Sequence, residues 1–394
     1  MSIVEFGVVR VTPAHQPGTS SYRAALAGLF AAGLATFALL YVVQPLLPLL
    51  GRTFRVSPAQ ASLALSASTA GLALTVLPLA RLSERHGRAR VLHWSLAGAA
   101  ALGLLAALAP SFPVLLGVRA LQGAALGGVP AAALAWVAEE MHPGAVAKAG
   151  GLYIAGTTVG GMSGRLVGGG LAELGGWRTA VFGVSLIAFA AAILSVRLIP
   201  EAAVRTLDAH TVETAGDGST ALRVRLYLAG GLGMAAFVGV YNVLGYRLEG
   251  APYHLSPAVS GLVFLAYLAG TLSSAHAAGV RDRIGLGASI VTGAVVALAG
   301  LALTLSRPLP LVVAGVTLMT AGFFLLHSIA SSTVAARAPR PSAAAARYLL
   351  AYYLGSSLGG PLLGAAWSAG GWPATTGVAA VLFGLAALVT GRIR

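Results

Sequence analysis

The stretch LSERHGRARVL, Leu82 to Leu92, follows Arg81, so that Arg81, Glu84, Arg85, Arg88 and Arg90 share ten positions of a chain with only 9% charged residues. An acid and several arginines this close form ion pairs that break and re-form. A partly exposed pair is worth roughly 0.2–1 kcal/mol, too little to lock a structure and enough, in number, to bias a two-state equilibrium. Near residue 280 the pattern returns in reduced form as VRDRIG, Val280 to Gly285, with Asp282, Arg283 and Gly285.

A second group lies within apolar runs. Arg119 and Arg165 fall inside them, where an arginine at the bilayer centre costs about 2.5–3.5 kcal/mol and needs a reason to be there. Arg119 lies about 9 Å from the nearer end of its expected helix at 1.5 Å per residue, so snorkelling is one reading and function the other. Arg165 is equally ambiguous. All eleven acids fall in tails, connections or helix ends, and Glu139 and Glu140 close one helix. A cavity without a mid-span carboxylate is neutral to positive, which favours neutral or anionic solutes over cationic ones. His327 titrates near neutrality in its reference state, about pH 6.5, and is the remaining proton-carrying candidate; packing is the plainer reading. Tyr41, Gln44, Tyr153, Tyr241, Asn242, Tyr267, Tyr352 and Tyr353 are the polar and aromatic residues placed to line a cavity. Aromatic residues near helix ends also serve as interfacial anchors.

The elements that hold these residues follow from composition. Of 394 residues, 57% are hydrophobic, and they form continuous runs of about 20, the length that spans about 30 Å of hydrocarbon. Continuous rather than alternating runs exclude a transmembrane barrel. The expectation is an all-α membrane protein with spans near 24–50, 57–80, 91–109, 113–138, 149–172, 177–197, 224–246, 257–279, 286–305, 309–334, 342–367 and 372–391. The 52 glycines lie largely within these runs, where small residues let helix backbones approach. There is no cysteine, which excludes disulfides and Cys-based metal or redox sites. The net charge of +14 sits in short connections rather than on one face, which argues against nucleic acid. Five arginines, Arg52, Arg55, Arg178, Arg247 and Arg307, fall in outer connections; apart from Arg119 and Arg165 the other basic residues fall on the opposite side, placing both termini in the cytoplasm.

The chain divides into a polar tail (1–23), a first bundle (24–198), a linker (199–222) and a second bundle (223–394). The bundles repeat. GTTVGG, Gly156 to Gly161, returns as GSSLGG, Gly355 to Gly360; GGW at Gly175 to Trp177 returns at Gly370 to Trp372; Glu84-Arg85-His86-Gly87 returns as Asp282-Arg283-Ile284-Gly285. Duplicated six-helix bundles mark secondary transporters, with the site near the midplane between them.

On these motifs the chain resembles the major facilitator superfamily along essentially its whole length. ARLSERHGRA, Ala80 to Ala89, matches G-x-L-A-D-R-x-G-R-R/K at Leu82, Arg85, Gly87 and Arg88, with Glu84 for aspartate and Ala80 for the first glycine. RALQGAALGG, from Arg119 through Gln122 and Gly123, is similar to the helix-four pattern R-x-x-x-G-x-G. The helix-five glycines Gly156, Gly160, Gly161 and Gly164 resemble the antiporter pattern, with Arg165 where proline is usual; GGMSGR resembles the YnfM-type bacterial efflux group in particular. The resemblance implies two pseudo-symmetric six-helix bundles, alternating access, and a cytoplasmic gate made by Glu84, Arg85, Gly87, Arg88, Asp282, Arg283 and Gly285. It favours Arg119, Gln122 and Arg165 as coupling or cavity residues and Gly123, Gly156, Gly160, Gly161 and Gly164 as helix-packing positions.

The expected function is proton-coupled efflux of a small organic solute by a monomer in the bacterial inner membrane, with lipid, protons and solute as its partners and no cofactor or metal. The alternative is an anion or sugar-like metabolite carrier that binds substrate charge with Arg119 and Arg165. No constellation for intramembrane catalysis and no phosphate-binding loop is present, which argues against an enzyme or a primary pump. A sensor is less favoured, because no soluble domain is appended.

Overall fold

A computed structural model describes residues 15–201, 219–339 and 341–391. Most of the expected tail (1–14) and linker (202–218) lies outside the described residues. Among the described residues, ten helical stretches are long and apolar enough to cross a membrane. Eight are single spans: α1 Ser20–Phe54, α2 Pro58–His86, α3 Arg88–Ala107, α4 Phe112–Glu140, α7 Thr220–Glu249, α8 Pro257–Ile284, α9 Leu286–Thr304 and α10 Leu309–Ala336. The helices Val146–Leu198 and Pro341–Thr390 are double length and break at Gly175-Gly176 and Gly370-Gly371. Divided there, they give α5 (146–174), α6 (177–198), α11 (341–369) and α12 (372–390), the twelve spans expected. Gly176 and Gly371 take φ of 77° and 62°, a region open to glycine at little cost, so each pair turns the chain without a loop. The tryptophan that follows anchors the turn: Trp177 packs on Phe54, and Trp372 Nε1 donates to Thr304 Oγ1 at 3.0 Å.

Four boundaries differ from expectation. The first and seventh helices begin at Ser20 and Thr220, because Thr19 and Ser219 cap them by accepting the amides of Tyr22 and Leu222. The charged segment after the second span is not a loop. α2 runs to His86, α3 starts at Arg88, and Gly87 alone, at φ 95°, breaks the helix. Gly285, at φ 85°, does the same between α8 and α9.

Within each half, glycine backbones set the closest contacts. A side chain at Gly156 or Gly160 would collide with the carbonyl oxygens of Phe30 or Leu34 at 2.3 and 2.2 Å, so α5 lies directly on α1. At the duplicated positions Gly355 and Gly359 the collisions are with Gly231 and Ala235 oxygens at 2.0 and 2.1 Å, which lays α11 on α7. Gly164 meets Ala38, and Gly123 meets the Ser68 backbone of α2. Gly161 differs from its neighbours. Its missing side chain faces the Arg165 guanidinium at 3.2 Å and makes room for it rather than for a backbone.

The helices alternate in direction, so the bundle has two ends. The base holds the start of α1 and the Gly87 and Gly285 turns; the crown holds the GGW turns. Seams between the halves run along α2–α11, α5–α8 and α1–α7. The hydrogen bonds that cross them, Thr69–Ser357, Gln44–Asn242, Arg165–Tyr267, Tyr246–Leu47, Arg52–Glu249 and Ala258–Glu173, lie from the middle of the bundle to the crown. At the base, the ion pairs between described residues join partners within one half: Arg88 with Glu84 and Glu139, Arg90 with Glu201, Arg281 with Asp282.

Candidate functional site: a buried arginine between the halves

Both intramembrane arginines are buried, and they do different things. Arg119 is fully enclosed in the first bundle. Its guanidinium donates to the carbonyl oxygens of Leu39 (2.8 Å), Leu40 (2.6 Å) and Ala64 (3.1 Å), and to Gln122 Oε1. Gln122 in turn donates to the Ala99 carbonyl at 3.0 Å. One cation thus ties α1, α2 and α4 together and reaches α3 through Gln122. The snorkelling reading fails here, because all three guanidinium nitrogens donate inside the bundle and the residue is fully buried.

Arg165 lies on the seam. Its Nε donates to Gln44 Oε1 at 2.6 Å, Nη1 to the Gly161 carbonyl at 2.7 Å and Nη2 to the Tyr267 hydroxyl at 3.2 Å. Its charge sits over the rings of Tyr41, Tyr267 and Phe264 at 4.0, 4.7 and 5.0 Å. Desolvated cation–ring contacts of this kind are worth about 2 kcal/mol or more. Gln44 passes the orientation on, because its Nε2 donates to Asn242 Oδ1 at 2.8 Å. Arginine has only donors, so Gln44 must turn its oxygen to Arg165 and its NH2 to Asn242. Asn242 must then present its own NH2 to the α2–α11 side, where Nδ2 is buried without a partner. Ser62 Cβ and Ser66 Oγ approach the same spot around Gly360, and both serine hydroxyls are buried and unpartnered. Local helix geometry supplies the positions. Gln44 opens a 3-10 turn at Pro45 in α1, and Tyr267 follows a 3-10 turn in α8.

Tyr41, Gln44, Arg165, Tyr241, Asn242 and Tyr267 therefore meet at one seam. Around them the second half builds an aromatic wall that the sequence did not announce: Phe237 stacks on Phe323 at 4.1 Å, and Phe264 stacks on Tyr241 at 5.3 Å. His327 belongs to that wall. It lies 4.7 Å from the Tyr352 ring, and its Nδ1 is 2.9 Å from the Tyr348 hydroxyl. Tyr352 packs edge-on against Tyr353. Tyr153 is buried in α5 with an unpartnered hydroxyl. The residues expected to form a cytoplasmic gate stand apart from this site, at the base. Glu84 is 61% exposed and 3.8 Å from Arg88, and Arg85, Asp282 and Arg283 are exposed. Arg88 is the best anchored of them, donating to Glu139 at 2.9 Å and to Ser83 Oγ at 2.8 Å. Two residues at the crown, Glu249 and Glu173, were missed as site candidates. The available signal was that acids are scarce, and these two fall in outer connections.

Two apolar six-helix bundles, joined by pseudo-symmetric seams around a buried polar cluster, define a membrane carrier of the two-bundle type. Residues 29–339 match the model of the Major Facilitator Superfamily. The chain belongs to that superfamily, a family of multi-pass transporters rather than enzymes. It is 40% identical over 385 residues to the inner membrane transport protein YnfM of Escherichia coli (strain K12), covering 95% of this chain and 92% of that one. It is 36% identical over 384 residues to the uncharacterized MFS-type transporter YybF of Bacillus subtilis (strain 168), covering 95% of each. Among solved structures it resembles a bacterial homolog of the human lysosomal transporter Spinster in an inward-facing and occupied conformation, with TM-score 0.73, 19% identity and 95% of each chain covered. The nucleoside transporter NupG is similar at TM-score 0.73 and 14% identity, over 93% of this chain and 98% of that one. At these identities the structures speak for the fold alone.

Proposed function

We propose that this protein is a proton-coupled efflux transporter of the bacterial inner membrane, moving a small neutral or anionic organic solute by alternating access. The base faces the cytoplasm and the crown the outside, with both termini inside, as the basic connections require. The observation that carries the solute class is the Arg165 cluster. When the seam opens, the first half frees the donors Arg165 Nη2 and Gln44 Nε2, and among the described residues no ion pair links Arg165 to a carboxylate. A solute acceptor such as a carboxylate or carbonyl oxygen matches that face, and the aromatic wall across the seam takes a planar or apolar body. A cationic solute would meet like charge.

The alternative reading, an anion or sugar-like carrier, shares this site but uses Arg165 alone, since Arg119 is committed to backbone carbonyls. The test is a pH-gradient assay in inverted membrane vesicles with neutral, anionic and cationic compounds added in turn. Compound-dependent dissipation by neutral or anionic compounds, absent in Arg165→Ala, is expected. Response to cations alone overturns the solute class. Uptake of labelled anions without proton movement overturns antiport in favour of the carrier.

A further inference from the structure

The crown is shut by two carboxylates, one on each of two seams. Glu249, at the last turn of α7, reaches across to α1, where its Oε2 lies 3.1 Å from Arg52 Nη2. The Glu249 side chain is 7% exposed, the Arg52 side chain 59%, and Glu249 Oε1 is buried without a partner. On the other seam Glu173 of α5 accepts the Ala258 amide of α8 at 3.1 Å and the Ser256 hydroxyl beside it. Among the described residues these are the only acids at the crown; Glu84, Glu139, Glu140, Glu201 and Asp282 all lie at the base. Each of the two therefore spends its charge on holding one half to the other.

The surroundings leave the clamps little support. The titratable groups facing Glu249 are Arg52 from α1 and Tyr246 from its own helix, whose hydroxyl donates to the Leu47 carbonyl at 2.8 Å. Arg247 points away, to the carbonyls of Thr304 and Ser306. Glu173 faces the uncharged Ser256 and Ala258, while Arg178 on the same chain segment donates to the Ala109 carbonyl. Beneath the clamps, Asn242 Nδ2 and the hydroxyls of Ser62 and Ser66 are buried unpartnered, groups that gain water when the seam parts. The closed crown thus leans on two ionised acids.

We propose that Glu249 is the proton-accepting residue of a crown gate in which Glu173 is a second clamp that stays ionised. Ionised, Glu249 clamps α7 to α1 as Glu173 clamps α5 to α8; protonated from the crown side, buried Glu249 no longer pairs with Arg52, and its seam parts first. An acidic exterior then favours the crown-open state. The inference rests on the alternating access proposed above, and on neither the solute nor the direction of transport.

The absence of cysteine makes the gate directly readable. Ser62, fully buried at the seam, is replaced in Ser62→Cys, and its labelling by a membrane-impermeant maleimide from outside is measured in right-side-out membranes. Dividing by the labelling rate of exposed Thr53→Cys removes the pH dependence of the thiol itself and checks insertion. The ratio is expected to rise about threefold or more from about pH 7.5 to about pH 5, as the buried Glu249 carboxylate gains its proton. Glu173→Gln with Glu249→Gln should raise it at both pH values, and Arg52→Ala, which keeps the acid and removes its partner, should raise it at the higher one. A ratio indifferent to pH and to these variants overturns the gate and leaves alternating access standing. A Ser62→Cys that never reacts, in any variant, overturns both.

Discussion

Arg119 and Arg165 are chemically identical, and their partners separate their roles. Arg119 satisfies backbone carbonyls of α1 and α2 from α4, so Arg119→Ala removes four hydrogen bonds from the interior of one bundle. We expect a loss of at least about 2 kcal/mol, seen as a lower thermal midpoint in detergent. Arg165→Lys keeps a charge but loses the planar fork that meets Gln44, Gly161 and Tyr267 at once; transport should fall about tenfold while the thermal midpoint stays near wild type. A reversed pattern would exchange the two roles. His15, just ahead of α1, is buried against Trp136 at the base, and burial holds its imidazole below the usual histidine value. With the folded value depressed, this contact is fully stabilising above about pH 6.5 and weakens as pH falls below it. Trp136 emission, isolated by comparison with Trp136→Phe, should report that loosening on the acid side only.

At the scale of elements, the duplicated glycines carry the packing. Gly160→Ala and Gly359→Ala put a methyl within 2.2 and 2.1 Å of carbonyl oxygens on α1 and α7, so both should reduce the folded yield. Gly161→Ala meets a movable guanidinium end at 3.2 Å and should fold, with its effect confined to transport. Size-exclusion profiles of the three variants check this, and equal losses in all three would deny the distinction. These positions were legible in advance because GTTVGG and GSSLGG repeat at nearly one offset, and so do the GGW turns. Helix ends were less legible. The charged stretch from Arg81 to Arg90 reads as a loop by composition, yet Gly87 is its only non-helical residue. Arginine is a good helix former, and charge density alone does not end a helix.

The two halves of the whole molecule are joined from its middle to its crown, which is one of the states that the proposed alternating access requires. Thr69 and Ser357 hydroxyls lie 2.8 Å apart across the α2–α11 seam. Thr69→Cys with Ser357→Cys in this cysteine-free chain should form a disulfide under mild oxidation, abolish transport, and regain it with reductant. Full transport in the cross-linked protein would mean that this seam never opens. Among the described residues, no ion pair joins the expected base latch of Glu84, Arg85 and Arg88 to the second half; Arg88 pairs with Glu84 and Glu139 within the first.

Sequence alone determined the class of molecule: helical, membrane-spanning, duplicated, with its charge at the ends. Those properties depend on hydrophobicity and spacing along the chain, which a one-dimensional string records directly. It also named most of the seam, since Tyr41, Gln44, Arg165, Asn242 and Tyr267 are polar or aromatic residues in places that are costly for them. Only the tertiary structure decided which of two buried arginines faces the other half. That choice depends on rotation about each helix axis and on neighbours drawn from four separate helices. The same holds for Glu173 and Glu249. As isolated acids in outer connections they read as solvated ends; a clamp emerges only when Arg52 and the start of α8, from the other half in each case, are brought within hydrogen-bonding distance.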